Sequence, residues 1–158
     1  ALTQIDNSNI TILFVGDGLE RNNMEAFVKE HNLKAVFTGF QNQTQLPKYY
    51  TISDIDVVIS DYDPSPKAMN EAMNFRLPII VSDAPGTAYD LVKNGENGFV
   101  VKVGDIDTIA KKIDYLNKNR EEMKIMGKKS FEIVQNWNYT EDVKGILKAI
   151  EYVTEKKD

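Results

Sequence analysis

The sequence contains no cysteine and a single histidine. Disulfides and thiolate metal sites are therefore excluded, and one imidazole cannot build a histidine-rich metal site. The apolar runs are about as long as a strand, so none predicts a membrane span. Basic residues number 19 against 24 acidic ones, and the net charge of -5 leaves no basic face for nucleic acid. These absences favour a cytoplasmic protein with no nucleic-acid partner.

The spacing of apolar residues predicts one α/β domain. At 158 residues with 42% hydrophobic content, the chain fits a single domain over residues 1–158. Five short segments rich in Val, Ile and Phe alternate with segments of helical spacing. Strand followed by helix, repeated, predicts a Rossmann-like three-layer α/β/α sandwich with a parallel sheet. The predicted strands cover residues 11–16, 35–39, 56–60, 78–82 and 98–102.

The two ends of the chain are predicted to differ from this alternating pattern. Residues 1–9 are typical of the end of a helix and a turn, so the chain is expected to be truncated at its amino terminus. After the last strand, the helical period predicts three consecutive helices, the first capped by Asp105. The second covers residues 120–136, and the third runs from Thr140 into a charged tail over residues 155–158.

The loop after the third strand carries a predicted anion site. Ser65 suits an N-cap and Pro66 suits the first position of a helix, so a helix is predicted over residues 66–75. The free amides at its start, beginning with Lys67 and Ala68, favour a bound diphosphate.

Two carboxylates flank this helix start. Asp63 precedes the helix, and Glu71 lies about one and a half turns inside it among residues predicted to be buried. Glu71 could form an exposed pair with Lys67, worth a few tenths of a kcal/mol. Alternatively, both carboxylates could accept hydrogen bonds from sugar or ribose hydroxyls.

Several motifs in order resemble a known enzyme family. The run EAMNFRLPIIVSD begins at Glu71, an acidic residue stands eight positions before it, and GENGFVV begins at Gly95. VGDGLER from Val15 and VFTGF from Val36 are supporting matches. Together they resemble the carboxy-terminal, donor-binding domain of GT-B fold retaining glycosyltransferases, the group that includes enzymes similar to sucrose synthase and glycogen synthase.

The resemblance implies a role for each candidate residue near the helix. Glu71 would bind the ribose hydroxyls of the donor nucleotide, and Asp63 would face the transferred sugar, which makes both candidate catalytic residues. Ser65 and Pro66 would shape the helix start, and the amides beyond them would contact phosphate or sugar.

The resemblance also implies contacts from other strand ends. Gly39 and Phe40 would form the base pocket, mostly through main chain. Gly86 and Thr87 would approach the donor from the next loop, and Gly16 would lie in a turn that could also cradle phosphate.

Three features depart from the family pattern. Asp63 stands where a glutamate is usual, which predicts another hexose or weaker activity. Arg76 stands where glycine is frequent, so we expect local strain or a different helix ending. The first strand and helix, which would bring a basic pair to the diphosphate, are absent. The first and third strands present must then pair directly, or residues before Ile10 must fill the gap.

The resemblance extends to partners and location. The donor would be a UDP- or GDP-sugar, with no cofactor and no metal, and transfer would go to a sugar, polysaccharide or lipid-linked acceptor. The acceptor would be bound by an amino-terminal domain of the same protein, through which the protein would associate with the inner face of a membrane. Trp137 and Tyr139 are predicted as packing anchors, and the last helix is expected to expose part of an interface with that domain.

Other functions remain open from the sequence alone. A phosphoryl-accepting receiver domain is one, because residues 56–61 could carry an accepting Asp61, with Ser82 as a switch hydroxyl. However, Asp17 lacks the acidic neighbour that would hold Mg²⁺. A non-catalytic domain that binds a nucleotide or a partner is another, and an epimerase or phosphorylase domain is a third.

Overall fold

The computed structural model describes residues 1–155, so residues 156–158 of the charged tail lie outside the described part. Each of the five predicted strands is found, and each is shorter than its predicted segment. The strands are β1 (Ile12–Phe14), β2 (Ala35–Phe37), β3 (Asp56–Val58), β4 (Ile79–Ser82) and β5 (Gly98–Val101). The helices are α1 (Arg21–Glu30), α2 (Leu46–Ile52), α3 (Lys67–Asn74), α4 (Ala88–Leu91), α5 (Ile106–Lys118), α6 (Arg120–Val134) and α7 (Tyr139–Glu155).

All strand pairing is parallel, but the strands form two sheets. β1 pairs with β2, and β3, β4 and β5 form a second sheet in that order. The prediction that the first and third strands pair directly, or that residues before Ile10 fill the gap, was wrong. Residues Leu2–Gln4 instead form a 3-10 helix, and Gln4 donates a hydrogen bond to Asp107 on α5 at 2.9 Å. The edges of β1 and β3 are therefore unpaired within the described residues.

The core surrounds the three-stranded sheet. Alternate residues of β4 point to opposite faces, as strand geometry requires, so Ile79 and Val81 pack with α3 and Ile80 packs with α5 and α6. Helices on both faces make the predicted three-layer sandwich. Every fully buried residue of the described part lies between Pro66 and Val134. The β1–β2 sheet and its helix α1 bury no side chain completely, so this half of the molecule is held by fewer apolar contacts.

The three carboxy-terminal helices are present as predicted. Asp105 caps α5 by accepting the N–H of Thr108 at 3.0 Å. The prediction of Trp137 and Tyr139 as packing anchors was wrong, since their exposed fractions are 46% and 90%. None of the side chains of α7 is buried, so its apolar face is uncovered by other described residues.

Arg76 has the strained conformation that its position suggested. It follows the end of α3 with a φ of 60°, in the left-handed region. Its N–H bonds the carbonyl of Met73, and the next N–H bonds Ala72, as in a glycine-terminated helix. The Arg76 guanidinium lies over the Phe131 ring at 5.0 Å, a favourable contact that partly offsets the strain.

No helix in residues 1–155 is both long and apolar enough to cross a membrane.

Candidate functional site

The start of α3 is open, although it differs from the prediction. The helix begins at Lys67 with Pro66 as its N-cap, so the assignment of Ser65 as the cap was wrong. Proline favours an extended conformation in the residue before it. The N–H of Ser65 donates a hydrogen bond to the Asp63 carboxylate. Lys67 and Ala68 are exposed. Their amides precede the first backbone bond of the helix, which Met69 donates to Pro66, and so they can meet an anion.

The loop before α3 is hydrogen-bonded to the loop before α4 beside this helix start. The half-buried Asp63 accepts the Ser65 N–H through its carboxylate at 3.0 Å, and its carbonyl accepts the N–H of Gly86 at 3.0 Å. A Cβ on Gly86 would lie 2.6 Å from the carbonyl oxygen of Pro64, so only glycine permits this approach. The structure therefore brings Gly86 to the backbone of Asp63.

Thr87 offers an unused hydroxyl in the same region. Its Oγ1 is buried and makes no hydrogen bond, although the residue stands at the cap position of α4. A buried hydroxyl without a partner is costly, so it is suited to a polar ligand arriving at this loop.

Glu71 is half-buried and faces α2. Its Oε2 accepts the phenolic O–H of Tyr50 at 2.9 Å, so its contact is with Tyr50 rather than with Lys67. The Tyr50 ring is stacked on Phe75 with centroids 5.4 Å apart, which fixes the phenol. Burial and the bond to Glu71 raise the pKa of Tyr50 well above its usual range, so the phenol remains a donor.

Asp56, at the start of β3, is a second carboxyl in this group. Its Oδ2 is buried and has no hydrogen-bond partner. Burial, reinforced by the charge of Glu71, raises the pKa of Asp56 to about 7, although a backbone bond from Val57 acts in the opposite direction. Tyr50 and Asp56 were not predicted as site residues. Tyr50 lies 21 positions before Glu71, on a helix whose bounds were not predicted, so no local pattern indicated their contact.

The glycines of the other sheet meet at its carboxyl end. The N–H of Gly16 bonds the carbonyl of Gly39 at 3.1 Å, and both residues have positive φ. Phe40 beside them is 82% exposed, so its ring is available to stack on a base. A cleft of about 480 Å³ adjoins this turn, lined by Gly16 and Arg21 among others. The predicted site residues thus fall into two groups, one at the end of each sheet.

Arg21, a cation beside this cleft, was not predicted as a site residue. It is paired with Asp17 at 3.2 Å and Glu25 at 2.8 Å, and its guanidinium lies 5.8 Å from the Phe37 ring centroid. Asp17 is therefore engaged in an ion pair. In residues 1–155 there is no cluster of three or more His, Cys, Asp or Glu residues that could hold a metal ion.

Residues 1–133 match the family model described as glycosyl transferases group 1. The chain is 28% identical over 131 residues to the sulfoquinovosyl transferase SQD2 of Arabidopsis thaliana, covering 81% of this chain and 25% of that protein. It is 34% identical over 99 residues to the UDP-Gal:alpha-D-GlcNAc-diphosphoundecaprenol alpha-1,3-galactosyltransferase of Escherichia coli, covering 61% of this chain and 25% of that protein.

A third relative is the GDP-mannose-dependent alpha-mannosyltransferase of Mycobacterium tuberculosis, 28% identical over 98 residues, with 62% of this chain and 25% of that protein covered. The chain thus spans about a quarter of the length of these three curated relatives.

Solved structures share the fold. HepE of Anabaena, solved with UDP-glucose, has a TM-score of 0.81 at 21% identity, covering 96% of this chain and 43% of that one. The catalytic domain of the cholesterol-alpha-glucosyltransferase from Helicobacter pylori has a TM-score of 0.78 at 16% identity, covering 86% of this chain and 85% of that one. The fold is therefore that of a GT-B glycosyltransferase domain.

Proposed function

Because the chain belongs to the glycosyl transferases group 1 family, we propose that it is the donor-binding half of a retaining hexosyltransferase using a UDP- or GDP-sugar. The remaining part of the protein, which is several times longer in the curated relatives, would bind the acceptor. That acceptor is a sugar, a polysaccharide or a lipid-linked sugar, and the other half provides any association with a membrane surface. The proposal includes no metal and no cofactor.

One observation carries this proposal: an open helix start lies between carboxylates. The exposed start of α3 presents the amides of Lys67 and Ala68, and Asp63 and Gly86 close one side of it. The amides and the helix dipole favour a diphosphate at this point. Glu71 is held by Tyr50 through one carboxylate oxygen, and its other oxygen can accept a ribose hydroxyl.

Such a site would promote transfer of the sugar by stabilising the charges that develop in the transition state. As the bond between the sugar and the diphosphate breaks, negative charge grows on the leaving phosphate and positive charge grows at the anomeric carbon. The amides at the start of α3 stabilise the first, and the Asp63 carboxylate, placed beside the sugar, stabilises the second. The acceptor hydroxyl then attacks the anomeric carbon from the face that the diphosphate leaves and gives its proton to the departing diphosphate. Attack from that face retains the anomeric configuration. This scheme requires no covalent bond to the protein.

Relatives support the choice of donor class. The Escherichia coli relative is named for UDP-Gal and the Mycobacterium tuberculosis relative for GDP-mannose, while HepE was solved with UDP-glucose. The experiment is calorimetric titration of the chain with UDP, GDP, ADP, UDP-glucose and GDP-mannose. We expect saturable binding of a uridine or guanosine nucleotide, with low affinity because the basic pair implied by the family resemblance is absent. If none of the five ligands binds, the proposed function is wrong.

The role of Glu71 is tested by Glu71→Gln, which keeps the shape of the side chain. Loss of the charged acceptor should weaken nucleotide binding by about tenfold or more, with little change in the unfolding midpoint. Glu30→Gln is the matched control, since Glu30 is exposed at the end of α1. Parent-like affinity in Glu71→Gln would show that Glu71 does not bind the nucleotide.

A further inference from the structure

Asp56 is a half-buried acid that the proposed transfer does not use. Its Oδ2 is buried and has no hydrogen-bond partner. Asp56 is the first residue of β3, a strand that contacts α3. A buried polar atom without a partner costs free energy, and a buried charge costs more. Asp56 therefore has a physical reason to carry a proton at a pH where an exposed aspartate has lost it.

Ionisable groups act on Asp56 from two neighbouring elements. Glu71 on α3 acts by its charge, and Tyr50 on α2 interacts with both carboxyls. β4 places the apolar Ile79 beside Asp56 in the sheet. The charge of Glu71 opposes ionisation of Asp56, because a second negative charge near the first is repelled by it.

We propose that Asp56 and Tyr50 are positioning residues for Glu71, and that the proton on Asp56 sets how tightly the chain holds a nucleotide sugar. This inference rests on the proposed function, because it assigns Glu71 to the donor. With Asp56 neutral, Glu71 is the one negative carboxylate of the group, oriented by the Tyr50 hydroxyl at 2.9 Å. Once Asp56 loses its proton, its charge repels both Glu71 and the incoming diphosphate, so the site holds the donor less tightly.

The raised pKa of Asp56, about 7, places this change in the neutral range. Below that pH the carboxyl is neutral and binding is strong, and above it the carboxyl is ionised and binding is weaker. Binding of an anionic donor therefore favours the protonated form and takes up a proton.

The experiment measures the affinity for UDP-glucose and GDP-mannose by calorimetry between about pH 6 and about pH 8.5. The two phosphates of each donor are esterified, so the charge of the ligand does not change over this range. For the wild-type chain we expect the affinity to fall by about fivefold as the pH rises. Asp56→Asn should keep the low-pH affinity throughout, and Asp56→Ser provides a second neutral side chain.

Asp54→Asn is the matched control for Asp56. Asp54 is exposed two residues earlier and paired with Arg120 at 3.2 Å, so this variant should keep the wild-type pH profile. Tyr50→Phe should weaken binding by about fivefold at the lower pH, while the ring keeps its stack on Phe75. Tyr49→Phe, next to it, should have no effect.

The outcomes separate the two proposals. If a donor binds with the same affinity at both ends of the pH range, or if Asp56→Asn keeps the fall, the role of Asp56 is wrong and the proposed function stands. If Tyr50→Phe binds like the parent, the role of Tyr50 is wrong. If no donor binds at any pH, the proposed function fails, and this inference fails with it. Circular dichroism of each variant shows that the fold is kept.

Discussion

At the residue scale, Asp56 should also control stability without any ligand. Its pKa is raised from 3.8 to about 7 in the folded chain. Between these values the folded state holds a proton that the unfolded state has lost, so the free energy of unfolding falls as the pH rises towards about 7. This contribution of Asp56 to the free energy of unfolding is fully present below the pKa of the unfolded chain, and it is lost as the pH rises through the pKa of the folded chain.

Asp56→Asn removes this titration. At about pH 8 we expect the variant to be more stable than the parent by roughly 1–3 kcal/mol, whereas near pH 4 the two should be similar. Urea unfolding at both pH values gives the measurement. Asp54→Asn serves again as the control and should lower stability slightly or leave it unchanged, because an exposed ion pair contributes little. Equal pH dependence in parent and Asp56→Asn would contradict the burial argument.

The sequence predicted the roles of single residues where these depend only on neighbours in the chain. Asp105 caps α5, and Arg76 takes the left-handed conformation, since each depends on neighbours within four residues. The contact of Glu71 with Tyr50 could not be predicted in this way, because it depends on how α2 packs against α3. Asp56 was taken as the first residue of a strand, and only the structure shows that its carboxyl is buried.

At the element scale, two helices contain a glycine with opposite surroundings. Gly127 of α6 is buried, and a Cβ there would overlap with the carbonyl oxygen of Arg76. Gly145 of α7 is exposed, and nothing lies within 4 Å of its would-be Cβ. The backbone after α3 thus packs directly on α6, and Arg76 is held in its strained conformation at this contact.

The same substitution should therefore have opposite effects. Gly127→Ala should destabilise the chain by more than about 2 kcal/mol, because backbone must move to admit the methyl group. Gly145→Ala should leave stability unchanged or raise it by up to about 1 kcal/mol, since alanine favours the helix. Thermal unfolding of the two variants checks both signs. A mild effect of Gly127→Ala would mean that α6 can move away from Arg76 at little cost.

Element boundaries show the limit of prediction from the sequence. The start of α3 was placed one residue early, because proline is favoured at the first helical position. Pro66 is instead the N-cap, with an extended ψ of 108°. α2 and α4 were predicted only through the alternation of strands and helices, and no bounds were predicted for them. They are seven and four residues long, too short to show a clear helical period.

At the scale of the whole molecule, the two halves should differ in local stability. All fully buried residues of the described chain lie between Pro66 and Val134, and β1, α1 and β2 contribute none. Amides of β1 and β2 should exchange with deuterium at least about tenfold faster than those of β4 and β5. Hydrogen exchange followed by NMR measures both sets in one sample. Equal protection across the two sheets would show that the halves unfold as one unit.

The alternation of strands and helices predicted the three-layer fold because it reflects which residues are buried, and burial also selects the parallel sheet. The division into two sheets was not predicted. Pairing between β1 and β3 depends on the distance between two segments that are far apart in the sequence, and no residue pattern records it.

The division has a thermodynamic consequence for any ligand that touches both sheets. No backbone hydrogen bond of the described strands links β1 to β3, so the ladder does not fix the distance between Gly39 and Glu71. A nucleotide whose base contacted Gly39 and whose ribose contacted Glu71 would have to immobilise one half of the chain against the other. The conformational entropy lost in that step makes the free energy of binding less favourable. A segment that fixed β1 against β3 would therefore tighten binding without contacting the ligand.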